Sequence, residues 1–305
     1  ATFNVELNST PLTLEGDALS RMARELESTW TGCNRVAAEM EVRMAMIGIL
    51  PTVRSEQLNL EYMSPMERFR ALNEQVLRQR SGRPMELHIS GRDRLDLKHH
   101  DVMLESATTS FQIHLKVAPA EAVRVYNASK VLSAPMVAAC ANSPFLFGHE
   151  LWDETRIPLF EQAVDVGSPE FGKRVGFGIR YAESSMQEAF QANVERYPVL
   201  LPQVMEEPPE QLAHLRLHNG TIWRWNRPLI GFDEDGRPHL RIEHRVVPAG
   251  PSVVDSIANA AFYFGAVRAL ADRPQPPESL LPFERARDNF YAAARDGLSA
   301  EIVWL

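Results

Sequence analysis

Arg241, Glu243 and Arg245 occupy alternate positions in the stretch His239-Leu240-Arg241-Ile242-Glu243-His244-Arg245-Val246-Val247. At the two-residue period of a strand these three share one face, while Leu240, Ile242, His244 and Val246 share the other. A carboxylate set between two guanidinium groups offers hard oxygen to a cation and fork-shaped donors to a phosphate or carboxylate. The same pattern also fits a solvated strand face with cross-strand ion pairs, so this strand needs company before it means a site. The apolar face suits a core.

Two other segments repeat the design. Thr109 to Val117 (TSFQIHLKV) sets Phe111, Ile113, Leu115 and Val117 against Ser110, Gln112, His114 and Lys116. Near the N-terminus, Phe3, Val5 and Leu7 alternate with Asn4, Glu6 and Asn8. Together they predict a mainly antiparallel sheet with helices on one face and an open polar trough on the other. The trough would gather Glu6, Gln112, His114, Glu243 and several arginines, a set with oxygen ligands for Mg²⁺ and cations for phosphate.

Elements that must position these residues are legible by period and punctuation. Asp17 can cap an amphipathic helix bearing Leu19, Met22, Leu26, Trp30, Cys33 and Val36. Met44 to Leu50 (MAMIGIL) reads as a buried central strand stopped by Pro51, and Ser64-Pro65-Met66-Glu67 as a capped helix start. Met85 to Ser90 and Leu95 to Lys98 form a hairpin around Gly91-Arg92-Asp93-Arg94. His88, His99 and His100 match no standard ligand spacing and read as surface polar residues. A helix from Pro119 to about Ala141 should bend or break at Pro135. Thr221 to Asn226 turns through Asp233-Glu234-Asp235-Gly236 into the strand of Glu243. The apolar helix from Ser252 to Leu270 is the expected main cover of the sheet, and a last helix runs from about Pro282 to Arg295.

Bulk properties bound the function. A chain of 305 residues with 45% hydrophobic and 24% charged residues is an ordinary globular protein with ample length for a core. A formal net charge of -8 argues against general binding of nucleic acid or anionic membranes. Cys33 and Cys140 both fall in apolar helical patterns, so a reducing, cytoplasmic setting is expected over a disulfide framework. Neither a signal peptide nor an apolar run of spanning length is present in the sequence. The chain enters its first strand pattern almost at residue 1, which predicts a piece cut from a longer protein. There is no glycine-rich phosphate loop, no dinucleotide fingerprint and no Gly-x-Ser-x-Gly elbow, so phosphate would be held by side chains and metal.

At FNVELNSTP, TTSFQIHLKV, ANSPFLFG followed by WDETR, HNGTIWRWNRP, RIEHRVVPAGP and RARDNFYAAARDGL, the chain resembles the second glutamate–cysteine ligase family, the carboxylate–amine ligases. These motifs keep the family's order from Phe3 to Leu298. The resemblance implies a glutamine-synthetase-like α+β fold with a curved antiparallel sheet, and residues 1–305 as a single ligase-type catalytic domain truncated at both ends. It implies ATP-dependent amide formation through an acyl phosphate, with Mg²⁺ or Mn²⁺ as cofactor and ATP, glutamate and an amine such as cysteine as substrates.

Carried over by position, Glu6 resembles the acid of the second sheet strand and Glu243 the metal-binding acid of the Glu-x-Arg strand. Arg245 is similar to the arginine near the γ-phosphate. Gln112 and His114 fall where the family places polar ligands; many members have His at both, so Gln112 departs from the pattern. His114 joins Glu6 and Glu243 as the expected metal set. Arg156 and Arg227 match loop arginines for substrate carboxylate or phosphate. Asn142 and Arg295 match motif positions assigned to substrate or nucleotide, and Trp225 and Asn289 match positions without a firm role. Family members usually carry a Gly-x-Glu-x-Glu strand that has no counterpart here, which puts the metal site in question. Two further readings stay open: a non-catalytic nucleotide or amino-acid binding module, and metal-dependent amide hydrolysis in the same trough. No nucleic acid or membrane partner is expected, and a homo-oligomer is compatible with the sequence.

Overall fold

The computed structural model describes residues 1–166 and 173–305. The order begins with helices α1 (Ala18–Glu39) and α2 (Glu67–Gln79), then the antiparallel hairpin β1 (Met85–Ser90) and β2 (Arg94–His99). A 3-10 segment (Val102–Ala107) leads into β3 (Ile113–Val117) and the long helix α3 (Ala122–Cys140). The short hairpin of β4 (Phe145–Leu146) and β5 (His149–Glu150) follows, then α4 (Arg156–Ala163) and β6 (Val175–Gly176). Helices α5 (Gln187–Arg196) and α6 (Ala213–Gly220) precede β7 (Trp223–Arg224), β8 (Asn226–Phe232) and β9 (Pro238–His244). Helices α7 (Val253–Ala271), α8 (Pro277–Leu280) and α9 (Phe283–Asp296) come last.

The mixture of helices and antiparallel sheets is compatible with the α+β expectation. The sheet that matters for function has the order β3-β9-β8, antiparallel throughout, with β9 in the centre. Its register sets His114 opposite Glu243 and Glu243 opposite Arg227; two residues along, Lys116 faces Arg241 and Arg241 faces Leu229. Because side chains alternate, all six lie on one face. Ile113, Val117 and Ile242, on the other face, are buried in the main core. There α3 packs against β8 and β9, with α7 and α9 against α3.

α3 is apolar or small on almost every side, and Ala128, Met136 and Val137 are all fully enclosed. Pro135 lies inside the helix without breaking it. Proline costs a helix roughly 3 kcal/mol, and burial of a single large apolar side chain returns about 1.5–3 kcal/mol, so this surrounding core can hold the helix together. A second core joins β1, β2 and the 3-10 segment through Leu87, Ile89, Leu95 and Leu104. α4 stitches the two cores, since Ile157 and Phe160 enter the first while Leu159 and Ala163 enter the second.

Several expectations are corrected. Residues Phe3 to Leu7 form no strand; Phe3 and Val5 are exposed, and this region is tied down by Thr2 N donating to Tyr62 O at 2.8 Å and Asn4 Nδ2 to Ser106 O at 2.7 Å. Alternation without a neighbouring strand to bond does not make a sheet. Met44 to Leu50 is likewise no central strand, only a single bridge from Ile49 to Thr108. Gly48 sits there because a Cβ would stand 2.9 Å from the Ser143 side chain. α2 starts at Glu67 with Met66 before it, so Ser64 is not the cap. The hairpin β1–β2, the β8–β9 turn and the Ser252 cap, whose side chain accepts from Asp255 N, appear as expected. α7 reaches the sheet through Tyr263, but α3 is the principal cover.

Candidate functional site: an arginine–glutamate row on the central sheet

The strand of Glu243 is aimed by the residue after it. His244 is fully enclosed; its Nδ1 lies 2.7 Å from Asn226 Oδ1, and its ring stacks on Tyr263 with centroids 4.3 Å apart. Asn226 Nδ2 in turn donates to Ser133 Oγ at 2.8 Å, tying β8 to α3. With His244 locked into the core, Glu243 must face the opposite side. Gly236, at φ 79, closes the β8–β9 turn by donating its N–H to Asp233 O at 2.9 Å, which fixes the register.

On that side Glu243 is held from two directions. Arg227 donates from Nε to Oε2 at 2.8 Å and from Nη2 to Oε1 at 3.1 Å, a two-pronged clamp across the strand pair. Arg245 donates from Nη1 to the same Oε2 at 2.9 Å. His114 Nε2 stands 3.5 Å from Oε1. With the Gln112 amide oriented to satisfy both its atoms, Nε2 donates to Glu243 Oε1 at 3.0 Å and Oε1 accepts from Arg245 Nη1 at 3.2 Å. Gln112, His114, Arg227, Glu243 and Arg245 are therefore in one place.

Burial alone would push the Glu243 carboxyl up, but Arg245 and Arg227 outweigh it and hold it down to about 2. Glu243 is therefore ionised at neutral pH. Burial lowers the His114 pKa; Glu243 opposes the shift, while Arg241, Arg227 and Arg245 add to it. His114 is therefore neutral near pH 7, with Nε2 turned toward Glu243. Glu105, on the 3-10 segment, is shifted upward by burial and downward by Arg245, so a further carboxyl lies within electrostatic reach of the row. Sequence reasoning missed it; its place just before the TTSFQIHLKV motif was the available signal.

Arg156 lies beneath the row and not in it. It is 2% exposed, donates from Nε to Glu154 Oε1 at 2.8 Å, and donates to the carbonyls of Arg245 at 3.3 Å and Val246 at 2.5 Å. Its role in the structure is to anchor the chain that carries Arg245. Asn142 works similarly, donating Nδ2 to Ala249 O at 2.9 Å and its N–H to Glu154 Oε2 at 2.8 Å. Arg295 is not brought to the trough; it pairs with its neighbour Asp296 at 2.9 Å. Trp225 is buried and donates Nε1 to Glu161 at 2.7 Å, and Asn289 exchanges two hydrogen bonds with Val303. These two positions serve packing.

The trough is less open than expected. A cavity of about 270 Å³ runs along β8 and β9, and α5 and α6 supply part of its lining through Phe190, Leu215, Arg216 and Asn219. His114, Arg227, Leu229, Ile230, Arg241 and Glu243 complete the lining. Arg216 was not anticipated, since it lies on a helix whose placement the sequence did not give.

Glu6, the remaining expected ligand, is exposed on the irregular N-terminal segment, and the trio with His114 and Glu243 is not assembled. Among the described residues no group of three His, Cys, Asp or Glu side chains could hold a metal ion. Both Glu243 oxygens already accept from guanidinium groups, and two cations beside it repel a third. The described side chains do not fit a protein-held Mg²⁺ or Mn²⁺. They fit an anion.

No helix among the described residues is long and apolar enough to cross a membrane. No curated protein matches the chain. The model of glutamate-cysteine ligase family 2 matches residues 1–305, the whole chain, and the protein belongs to that family.

Proposed function

We propose that the protein is an ATP-dependent carboxylate–amine ligase that forms a γ-glutamyl amide, with cysteine as the first amine to try. What carries this reading is the row Arg227–Glu243–Arg245 on the polar face of the β3-β9-β8 sheet, beside a cavity of metabolite size. Family membership supports the ligase class.

In this reaction a carboxylate oxygen attacks the γ-phosphorus of ATP, the bond to the β,γ-bridging oxygen breaks, and ADP leaves with that electron pair. The amine nitrogen then attacks the acyl-phosphate carbon, phosphate leaves, and the nitrogen loses a proton. Arg227 and Arg245 would bind the carboxylate and take up the charge that develops on the transferring group. Glu243, ionised between them, keeps both guanidinium groups oriented before substrate arrives. His114, neutral and 3.5 Å from Glu243, is the side chain placed to take the amine proton. The family association with Mg²⁺ is met most simply by metal entering on the nucleotide, since these side chains do not form a cage for it.

An ADP-release assay over pairs of amino acids tests the proposal. Release that requires both glutamate and an amine is the expected result, and no substrate-dependent ADP with any pair would refute it. A non-catalytic binding module is the second reading, favoured by the missing metal-ligand trio among the described residues. It calls for heat stabilisation by ATP with Mg²⁺, or by glutamate, without ADP.

A further inference from the structure

On the α3 side of the sheet, away from the trough, hydrogen-bond donors meet with no acid among them. Lys130, in the middle of α3, is 1% exposed, and Phe177 O at 2.5 Å takes one of its three N–H donors. The rings of Phe177, Tyr126 and Phe283 stand 4.8, 5.0 and 5.5 Å from Nζ. Aromatic faces favour a cation, but they bring no negative charge to cancel it. No carboxylate among the described residues acts on Lys130; burial, and after it the nearby Arg224, holds its pKa well below the ordinary lysine range.

Arg224, on β7, is half-buried, so this group of residues reaches solvent through it. Its guanidinium lies 5.4 Å over the Tyr197 ring and makes no ion pair among the described residues. Tyr126, one helical turn before Lys130, is 6% exposed, and its hydroxyl bonds to no described residue. Gly178 leaves space beside these donors. Its φ of 97 favours glycine, and a Cβ there would stand 3.1 Å from Lys130 Nζ and 3.5 Å from Arg224 Nη1. Apart from its chain neighbours, no other heavy atom of the described residues lies within 4 Å of that point. The two cationic nitrogens are thus close enough to share one small ion, and sharing it would remove their mutual repulsion.

We propose that Lys130 and Arg224, with the Tyr126 hydroxyl, form a binding site for a phosphate group, either the free ion or a small monoester, entered past Gly178. The charge argues for this class. Two cations without an acid are neutralised by a dianion, and a phosphomonoester carries about −1.5 to −2 charges at pH 7. A monocarboxylate would leave one cation unanswered. The site lies apart from the Arg227–Glu243–Arg245 row, and the inference does not rest on the ligase reading.

The chain has four lysines, Lys98, Lys116, Lys130 and Lys173, so NMR of the intact protein carrying ¹³C at lysine Cε can follow each one. Changing the other three to arginine, one at a time, assigns the Lys130 signal by elimination. Inorganic phosphate, glycerol phosphate and acetate are then titrated at pH 7 and constant ionic strength. Phosphate or glycerol phosphate should move the Lys130 signal saturably, and acetate should bind at least about tenfold more weakly; the tighter of the first two identifies the form bound. In Arg224→Gln the Kd for that form should rise at least about tenfold, the equivalent of one lost charge-assisted hydrogen bond. A Lys130 signal unmoved by either phosphate compound overturns the proposal, even where phosphate binds in the trough. Acetate binding as tightly as phosphate, or an unchanged Kd in folded Arg224→Gln, overturns it too. Thermal melts show whether that variant is folded; if it is not, the comparison of phosphate with acetate on the wild type decides.

Discussion

Replacing Glu243 by Gln removes the carboxylate held between Arg227 and Arg245 and leaves two guanidinium groups facing each other in a buried row. The magnitude follows from the carboxyl itself, lowered from 4.5 to about 2, a shift that corresponds to about 3 kcal/mol favouring its ionised form. Removing one partner of a buried pair costs about 3–5 kcal/mol, so E243Q should lose roughly 3 kcal/mol at pH 7. The pH dependence has a definite sign. The folded carboxyl is depressed, so its contribution is full above pH 4.5 and fades as pH falls from there toward about 2. Urea denaturation of both proteins at pH 7, 5 and 3 should show a gap at pH 7 that persists at pH 5 and narrows at pH 3. Equal stability at pH 7, or a gap independent of pH, would refute an ionised carboxylate clamped by the two arginines.

Other perturbations follow from the same geometry. Arg245→Lys should lower kcat more than it changes KM, because a lysine cannot supply the planar fork to the developing charge; steady-state ADP release checks this. Arg156→Gln leaves Glu154 buried and poorly paired and frees the Val246 carbonyl, so a loss of about 3–5 kcal/mol should appear in denaturant unfolding. Burial holds the His244 ring down to about 3, against about 6.5 in an unfolded chain. Its stability contribution is therefore full above pH 6.5 and falls by about 1.4 kcal/mol per pH unit below it. His244→Gln should be less stable at pH 7 but flatter between pH 6 and 4.5 by chemical denaturation.

The central strand was legible because its apolar side has a core to meet and its partner β3 carries the same alternation; β8 was expected at Thr221 to Asn226 but runs Asn226–Phe232, without that alternation. Hairpin β1–β2 was legible for a similar reason, with Met85, Leu87 and Ile89 buried at alternate positions. The N-terminal alternation misled because a pleated pattern shows which side chains would share a face, not whether another backbone lies alongside. Met44 to Leu50 misled because an apolar run fits any buried path. Arg156 looked like a ligand in its motif, yet Glu154, two residues earlier, was a visible clue to a buried pair. Arg216 could not be found from sequence, since its place beside Arg241 depends on how α6 settles against β8.

The claim that a carboxylate is activated by phosphoryl transfer is tested most directly with glutamate labelled by ¹⁸O in its γ-carboxylate. Incubation with ATP, Mg²⁺ and an amine should place one labelled oxygen in each phosphate released, because the carboxylate oxygen that attacks phosphorus departs with it. Amide formed with unlabelled phosphate would contradict the account.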